Sequence, residues 1–148
     1  MKNQLDRSLE MLKKLQLNEK IDDVEKELKK LAQEQLKEAV NKDKNIDKQK
    51  QIKKDFNNIE NKMEELLELN KELTNPMNID ETKQEQEDIS EELTKAEEEI
   101  GKNKKKKSTE SQKKASKQMD ELAEKLNAMQ QSSNQEQQKE DMESLRNI

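Results

Sequence analysis

The chain has 148 residues, 44% of them charged and 27% hydrophobic, with one glycine, one proline and a single aromatic residue, Phe56. A net charge of only −5 argues against disorder driven by self-repulsion, and Ala, Glu, Lys, Leu and Arg supply about half of the residues, the composition of long amphipathic helices. The absence of cysteine and histidine excludes thiol nucleophiles, thiolate zinc sites, imidazole bases and haem ligation, and no run of roughly 18 apolar residues exists to span a bilayer.

The first segment places Leu5, Leu9 and Leu12 at helical spacing, then Leu15 and Leu17, then Ile21, Val24, Leu28 and Leu31. Leu12 and Leu17 are five residues apart, so the stripe is offset near Leu15, and Asn18 is a residue type that caps a fresh start. This predicts one long helix over Leu5–Val40, with a kink allowed near Leu15. From Leu31 to Ile52 the seam positions fall on Gln35, Glu38, Lys42, Asn45 and Gln49, all polar. A helix continued through them would keep register with nothing to bury, and Asn41–Asn45 is poor in helix formers. A turn there folds the first helix back antiparallel onto the next and is the preferred reading; one uninterrupted rod is the alternative.

The following stretch carries Ile52, Phe56, Ile59, Met63, Leu66 and Leu73 at alternating four- and three-residue steps, with Asn70 filling the one gap. That spacing draws a narrow stripe down one side of a helix, the seam of a coiled coil. Ile52, Phe56, Ile59, Met63, Leu66, Asn70 and Leu73 are therefore the candidate helix-seam residues. Their helix, Ile46–Thr74, should stop before Pro76. Asn70 reads either as a flaw tolerated near a helix end or as a buried amide that sets register.

Met77–Asp80 reads as a loop, and Thr82-Lys83-Gln84-Glu85 fits a capping box in which the Thr oxygen and Glu carboxylate satisfy free amides of the first turn. Ile89, Leu93, Ala96 and Ile100 carry the next stripe. Gly101–Thr109 holds no apolar residue, and Ala115, Met119, Leu122, Leu126 and Met129 resume the pattern two residues out of phase. The third helix, Thr82–Gln131, either runs through with a register shift or breaks and re-caps near Ser108–Thr109. Gln130–Asn134 reads as a linker. Ser133-Asn134-Gln135-Glu136 reads as a second capping box, opening a short helix near Gln135–Asn147 that holds Met142 and Leu145 and would be marginal alone. The expected fold is all-α: an elongated antiparallel coiled-coil hairpin or three-helix arrangement over residues 1–131, then a linker and short terminal helix over 132–148. The pattern looks like a segment cut from a longer protein.

The sharpest charge feature is the lysine run, in which Lys102, Lys104, Lys105, Lys106, Lys107, Lys113, Lys114 and Lys117 meet only Glu110. These are the candidate anion-binding residues, for an anionic polymer or a membrane surface. No arginine or aromatic residue is interleaved to grip phosphate bidentately or stack on bases, so nucleic acid is a disfavoured partner. The plainer alternative is a solvated surface whose lysines suit the end of a helix finishing near Ile100. Between Ile59 and Ile100 acidic residues predominate. Neighbouring carboxylates such as Glu97, Glu98 and Glu99 diverge by about 100° on a helix and lack a calcium-wrapping loop, so their expected role is attraction for the lysine segment. Met63, Met119 and Met129 fall on seam positions and read as core filler rather than a soft-metal box. No catalytic, metal-ligating or cofactor-binding residue is predicted, no cofactor and no small-molecule substrate. The expected partners are helices, of a second copy or of another protein, and the chain is expected not to be an enzyme.

Four stretches carry a family resemblance: Leu5-Asp6-Arg7-Ser8-Leu9-Glu10-Met11-Leu12, Leu69-Asn70-Lys71-Glu72-Leu73 with Asn75-Pro76-Met77, Lys114-Ala115-Ser116-Lys117-Gln118-Met119, and Glu140-Asp141-Met142-Glu143-Ser144-Leu145-Arg146. The chain resembles the coiled-coil region of a family of large envelope proteins from Bacteroidota whose function is unknown. The resemblance implies a parent anchored in the inner membrane by spans that this chain lacks. It therefore implies a soluble segment, with the parent in the cell envelope (inner membrane or periplasm) and otherwise cytoplasmic. It brings no catalytic residues.

Overall fold

The computed structural model describes residues 2–146. It contains α1 (Lys2–Val40), α2 (Ile46–Lys71), a 3₁₀ turn (Ile79–Thr82), α3 (Lys83–Gly101) and α4 (Lys105–Arg146), and no strand among the described residues. Each helix packs on two others, α1 on α2 and α4, and α3 on α2 and α4, so the four stand antiparallel in a ring. This is an up-down-up-down four-helix bundle, built from consecutive hairpins.

The core is made by the stripes read from the sequence. Leu17, Ile21, Val24, Leu28 and Leu31 of α1 meet Ile52, Phe56, Ile59, Met63 and Leu66 of α2, and Ala115, Met119, Leu122 and Leu126 of α4 close the other side. Ile89 and Leu93 of α3 complete the ring, and Phe56, Met63, Leu66 and Met119 are fully enclosed. Alternating three- and four-residue steps keep each stripe on the axis as the helices supercoil. No stripe of this width is stable on one helix alone; packing supplies most of the helical stability.

The first turn falls where the seam becomes polar. Residues 41–45 connect α1 to α2, and Asn45 caps α2 by accepting hydrogen bonds from the Asp47 and Lys48 amides at 3.0 and 3.2 Å. The second long connection differs from the expected simple loop. Leu73, Met77 and Ile79 are buried under it, and Thr82 closes the 3₁₀ turn by donating its hydroxyl to the Ile79 carbonyl at 2.7 Å. The expected capping box at Thr82–Glu85 does not form, because that hydroxyl is already committed backwards and Thr82 has helical backbone angles.

The expected third helix is two helices. It breaks at residues 102–104, four residues ahead of the Ser108–Thr109 position foreseen for a re-cap. Asn103 adopts the left-handed conformation (φ 57°), its amide bonds the Ile100 carbonyl at 3.1 Å, and the Lys104 amide bonds the Glu99 carbonyl at 2.8 Å. This is the Schellman arrangement, with asparagine in the place glycine usually takes. Gly101 sits inside α3 instead, where a Cβ would lie 3.6 Å from Ile46 Cδ1. Breaking the helix removes the two-residue phase conflict, since α3 and α4 then set their stripes independently.

Two further expectations are corrected at the C-terminal end. Residues 130–134 are helical rather than a linker, and Ser133–Glu136 lies inside α4, where no capping box is needed. The separate short terminal helix is therefore the end of α4, and Asn147, its expected last residue, lies outside the described residues. The cause is α1, which pairs with this stretch. Gln130 Nε2 donates to the Asn18 carbonyl at 3.3 Å, and Lys14 Nζ donates to the Ser133 carbonyl at 3.2 Å and to Gln137 Oε1 at 3.4 Å. Asn18 is accordingly a mid-helix residue and not a cap.

Candidate interaction surfaces

All seven candidate seam residues are inside. Ile52, Phe56, Ile59, Met63, Leu66, Asn70 and Leu73 are 6% exposed or less. They hold the bundle together and offer nothing to a partner. Asn70 is a buried amide, one of the two readings, but its partner is the loop and not a facing helix. Its amide spans the connection between α2 and α3, donating to the Met77 carbonyl at 2.6 Å and accepting from the Met77 amide at 2.8 Å. A side chain on the last turn of α2 thus serves as a strand-like partner for one residue of the loop. Sequence spacing marked the position but carried no sign of the loop residue it binds.

The polar seam positions between Leu31 and Ile52 also acquire a role. Gln35 and Gln49 are fully buried and exchange hydrogen bonds at 3.0 and 2.8 Å, and Gln112 of α4, 1% exposed, donates to Gln49 Oε1 at 2.9 Å. Lys44 completes the layer by donating to Gln112 Oε1 at 3.0 Å and to the Glu38 and Ala39 carbonyls at 3.1 and 2.8 Å. Burial pushes the Lys44 ammonium below the usual lysine range, against the pull of Glu38, and Lys113 adds to the downward shift. A satisfied polar layer of this kind specifies register more than it adds stability.

The eight candidate anion-binding lysines are all exposed, but they are not one patch. Lys102 closes α3, Lys104 lies in the turn and Lys105, Lys106 and Lys107 open α4. Lys114 instead reaches Glu92 of α3 at 3.1 Å, and Lys117 pairs along its own helix with Glu121 at 4.0 Å. The expected attraction of the acidic segment for the lysine segment is present in the Glu92–Lys114 pair. At the end of the bundle the fold adds Lys42 and Lys44 from the α1–α2 turn to Lys102–Lys107. A shallow depression of about 180 Å³ lies there, lined by Asp43, Lys44, Ile100, Asn103 and Lys105. No group of three or more Asp and Glu that could hold a metal ion occurs among the described residues, and no helix is long and apolar enough to cross a membrane.

The opposite end carries most of the exposed apolar surface, the exceptions being Leu36 and Val40 near the α1–α2 turn, 46 and 67% exposed. The α2–α3 connection reaches only as far as Glu10, whose carboxylate accepts the Thr74 amide at 2.7 Å. Beyond it the start of α1 and the end of α4 project as a two-helix arm. Leu5 and Leu9 of this arm are 67 and 52% exposed, and Met11, Leu12 and Leu15, on the bundle side of Glu10, are 63, 56 and 58% exposed. Met142 and Leu145 of α4 are 59 and 71% exposed. Monomeric proteins rarely expose large apolar side chains grouped so densely. The offset near Leu15 was legible in the sequence; that it separates a buried stripe from an exposed one was not. Comparison with protein-family models, with curated proteins and with solved structures finds no match.

Proposed function

We propose that this chain is a non-catalytic, protein-binding helical module, and that the α1 stripe Leu5–Leu9–Leu12 is where a partner helix docks. One observation carries this reading. The core stripes of all four helices are consumed inside the bundle, while this one keeps seam spacing and stays more than half exposed. Docking an amphipathic helix along such a stripe is the helical counterpart of strand addition at a sheet edge. The sequence resemblance supports placing the parent protein in a bacterial envelope, with the bundle as its soluble part. The test is photocrosslinking with a benzophenone amino acid at position 9 and, as a control, at Lys54, which is exposed on α2. In extract from the source cell, position 9 should give defined adducts with a polypeptide and position 54 should not. No adduct from position 9 above the control would refute the reading.

A second reading is favoured by the meeting of Lys42 and Lys44 with Lys102–Lys107 at the other end. This basic end would bind an anionic polymer or membrane surface electrostatically, with affinity falling as salt rises. Retention on anionic vesicles at physiological ionic strength, lost when Lys104–Lys107 become glutamine, supports it. No retention even at low salt removes it.

A further inference from the structure

The arm's leucines do not continue the core seam. At about 100° per residue, Leu5 and Leu12 stand about a third of a turn or more around α1 from the centre of the Leu17–Leu31 stripe, and Leu9 a little under a quarter turn. They therefore point away from the side that α2 covers lower down. The charges beside them then become informative. With Leu9 at an a position and Leu5 and Leu12 at d, Asp6 and Lys13 occupy the e positions, and Ser8 and Leu15 the g positions. In an antiparallel pair of helices, a layers against d and e faces e. Leu9 of one copy would lie on Leu12 of the other, and Asp6 would face Lys13 of the second copy, twice by symmetry. In a parallel pair e faces g, and neither Ser8 nor Leu15 offers Lys13 an opposite charge.

We infer that the N-terminal arm of α1 is a homodimerisation face, on which α1 of a second copy packs antiparallel through Leu5, Leu9 and Leu12. This rests on the protein-binding reading above and names its partner. The available area fits a weak, reversible dimer. A half-exposed leucine presents on the order of 100 Å² of apolar surface. Leu5, Leu9 and Leu12, with Leu15 flanking them, thus offer roughly 400 Å² per copy, about half of the ~800 Å² per partner of a standard stable interface. A two-fold contact also closes on itself and leaves no open edge for further growth.

Sedimentation equilibrium of the purified chain should show a monomer–dimer equilibrium. Leu9→Lys and Leu12→Lys should each weaken the dimer by more than about tenfold while leaving the melting curve of the bundle in place, because both residues lie outside the core. Asp6→Lys should weaken the dimer, and Asp6→Lys combined with Lys13→Asp should restore it. The chain has no cysteine, so Leu9→Cys mixed with Leu12→Cys should crosslink across the two copies more readily than either alone. A monomer at every concentration overturns the inference, as does a dimer that survives Leu9→Lys, or crosslinking strongest in each cysteine variant alone. A monomer whose position 9 still forms adducts with another polypeptide overturns self-pairing and leaves the protein-binding reading standing. A monomer without adducts removes both.

Discussion

Replacing Gln49 with leucine isolates the energetics of the buried glutamine layer. The change leaves Gln35 without its 3.0 Å donor contact and its 2.8 Å acceptor contact, and leaves Gln112 Nε2 without its 2.9 Å acceptor. Three buried polar atoms lose their partners, at about 1–2 kcal/mol each, and leucine's better burial offsets about 1–2 kcal/mol of that. The expected net loss is about 2–4 kcal/mol, a fall in Tm of roughly 5–15 °C for a chain of this size. Circular dichroism at the helical minimum, with heat and urea as denaturants, reads it directly. The converse variant carries the reasoning further. Changing Gln35, Gln49 and Gln112 together to leucine removes both sides of every hydrogen bond among the three glutamines, and Lys44 loses Gln112 Oε1 but keeps the Glu38 and Ala39 carbonyls. That triple variant should be as stable as the parent or more so. A single variant within about 0.5 kcal/mol of the parent, or a triple variant worse than the single one, would refute the orphaned-amide account.

Three other outcomes are expected. Asn70→Ala leaves the Met77 amide and carbonyl without their side-chain partner and should cost about 2–4 kcal/mol, with limited proteolysis speeding up within residues 72–78 before the helices melt; unchanged cleavage there would contradict the clamp role. Burial, and then Asp22, hold the Glu25 carboxyl above the usual carboxylate range, and its Oε1 is buried without a hydrogen-bond partner. A raised carboxyl pKa means the folded chain holds the proton more tightly than the unfolded one, so the ionised group costs stability above the unfolded pKa and nothing once both states are protonated. Glu25→Gln should therefore melt higher than the parent at neutral pH, with the gap closing as pH falls through the carboxylate range; a gap independent of pH would be the wrong result. Asn103→Gly should hold or slightly raise stability, whereas Asn103→Val should lower it by about 1–2 kcal/mol through strain at φ 57°; equal melting of the two variants would show that the left-handed turn is not constraining.

The residues inside the bundle were legible because coiled-coil packing repeats along the chain. Leu17 to Leu31, Ile52 to Leu66, Ile89 to Ile100 and Ala115 to Leu126 announce themselves by spacing, and all are buried. The α1–α2 turn was legible too, since a run of polar seam positions with poor helix formers has nowhere else to go. Local signals misled where a distant partner outweighed them. Ser133–Glu136 has the residues of a capping box, yet α1 keeps that stretch helical through Lys14 and Gln130. Thr82 has the residue type of a cap, yet the buried Ile79 draws its hydroxyl backwards into the 3₁₀ turn.

By itself the sequence determined that the chain is helical, that its apolar residues form narrow stripes with an offset in the first helix near Leu15, and that thiol and imidazole chemistry are absent from it. Those properties follow from composition and from periods of three and four residues, which are local. Only the tertiary structure decided how many helices there are, which stripes face one another and which is left over. Breaking the third helix at Asn103 costs little locally but lets two short stripes reach the same core. Pairing Gln35 with Gln49 and Gln112 needs three helix ends in one place. The exposure of Leu5, Leu9 and Leu12 depends on which face of α1 the bundle covers: α2 and α4 take the Leu17–Leu31 side, so the offset stripe is left pointing outward.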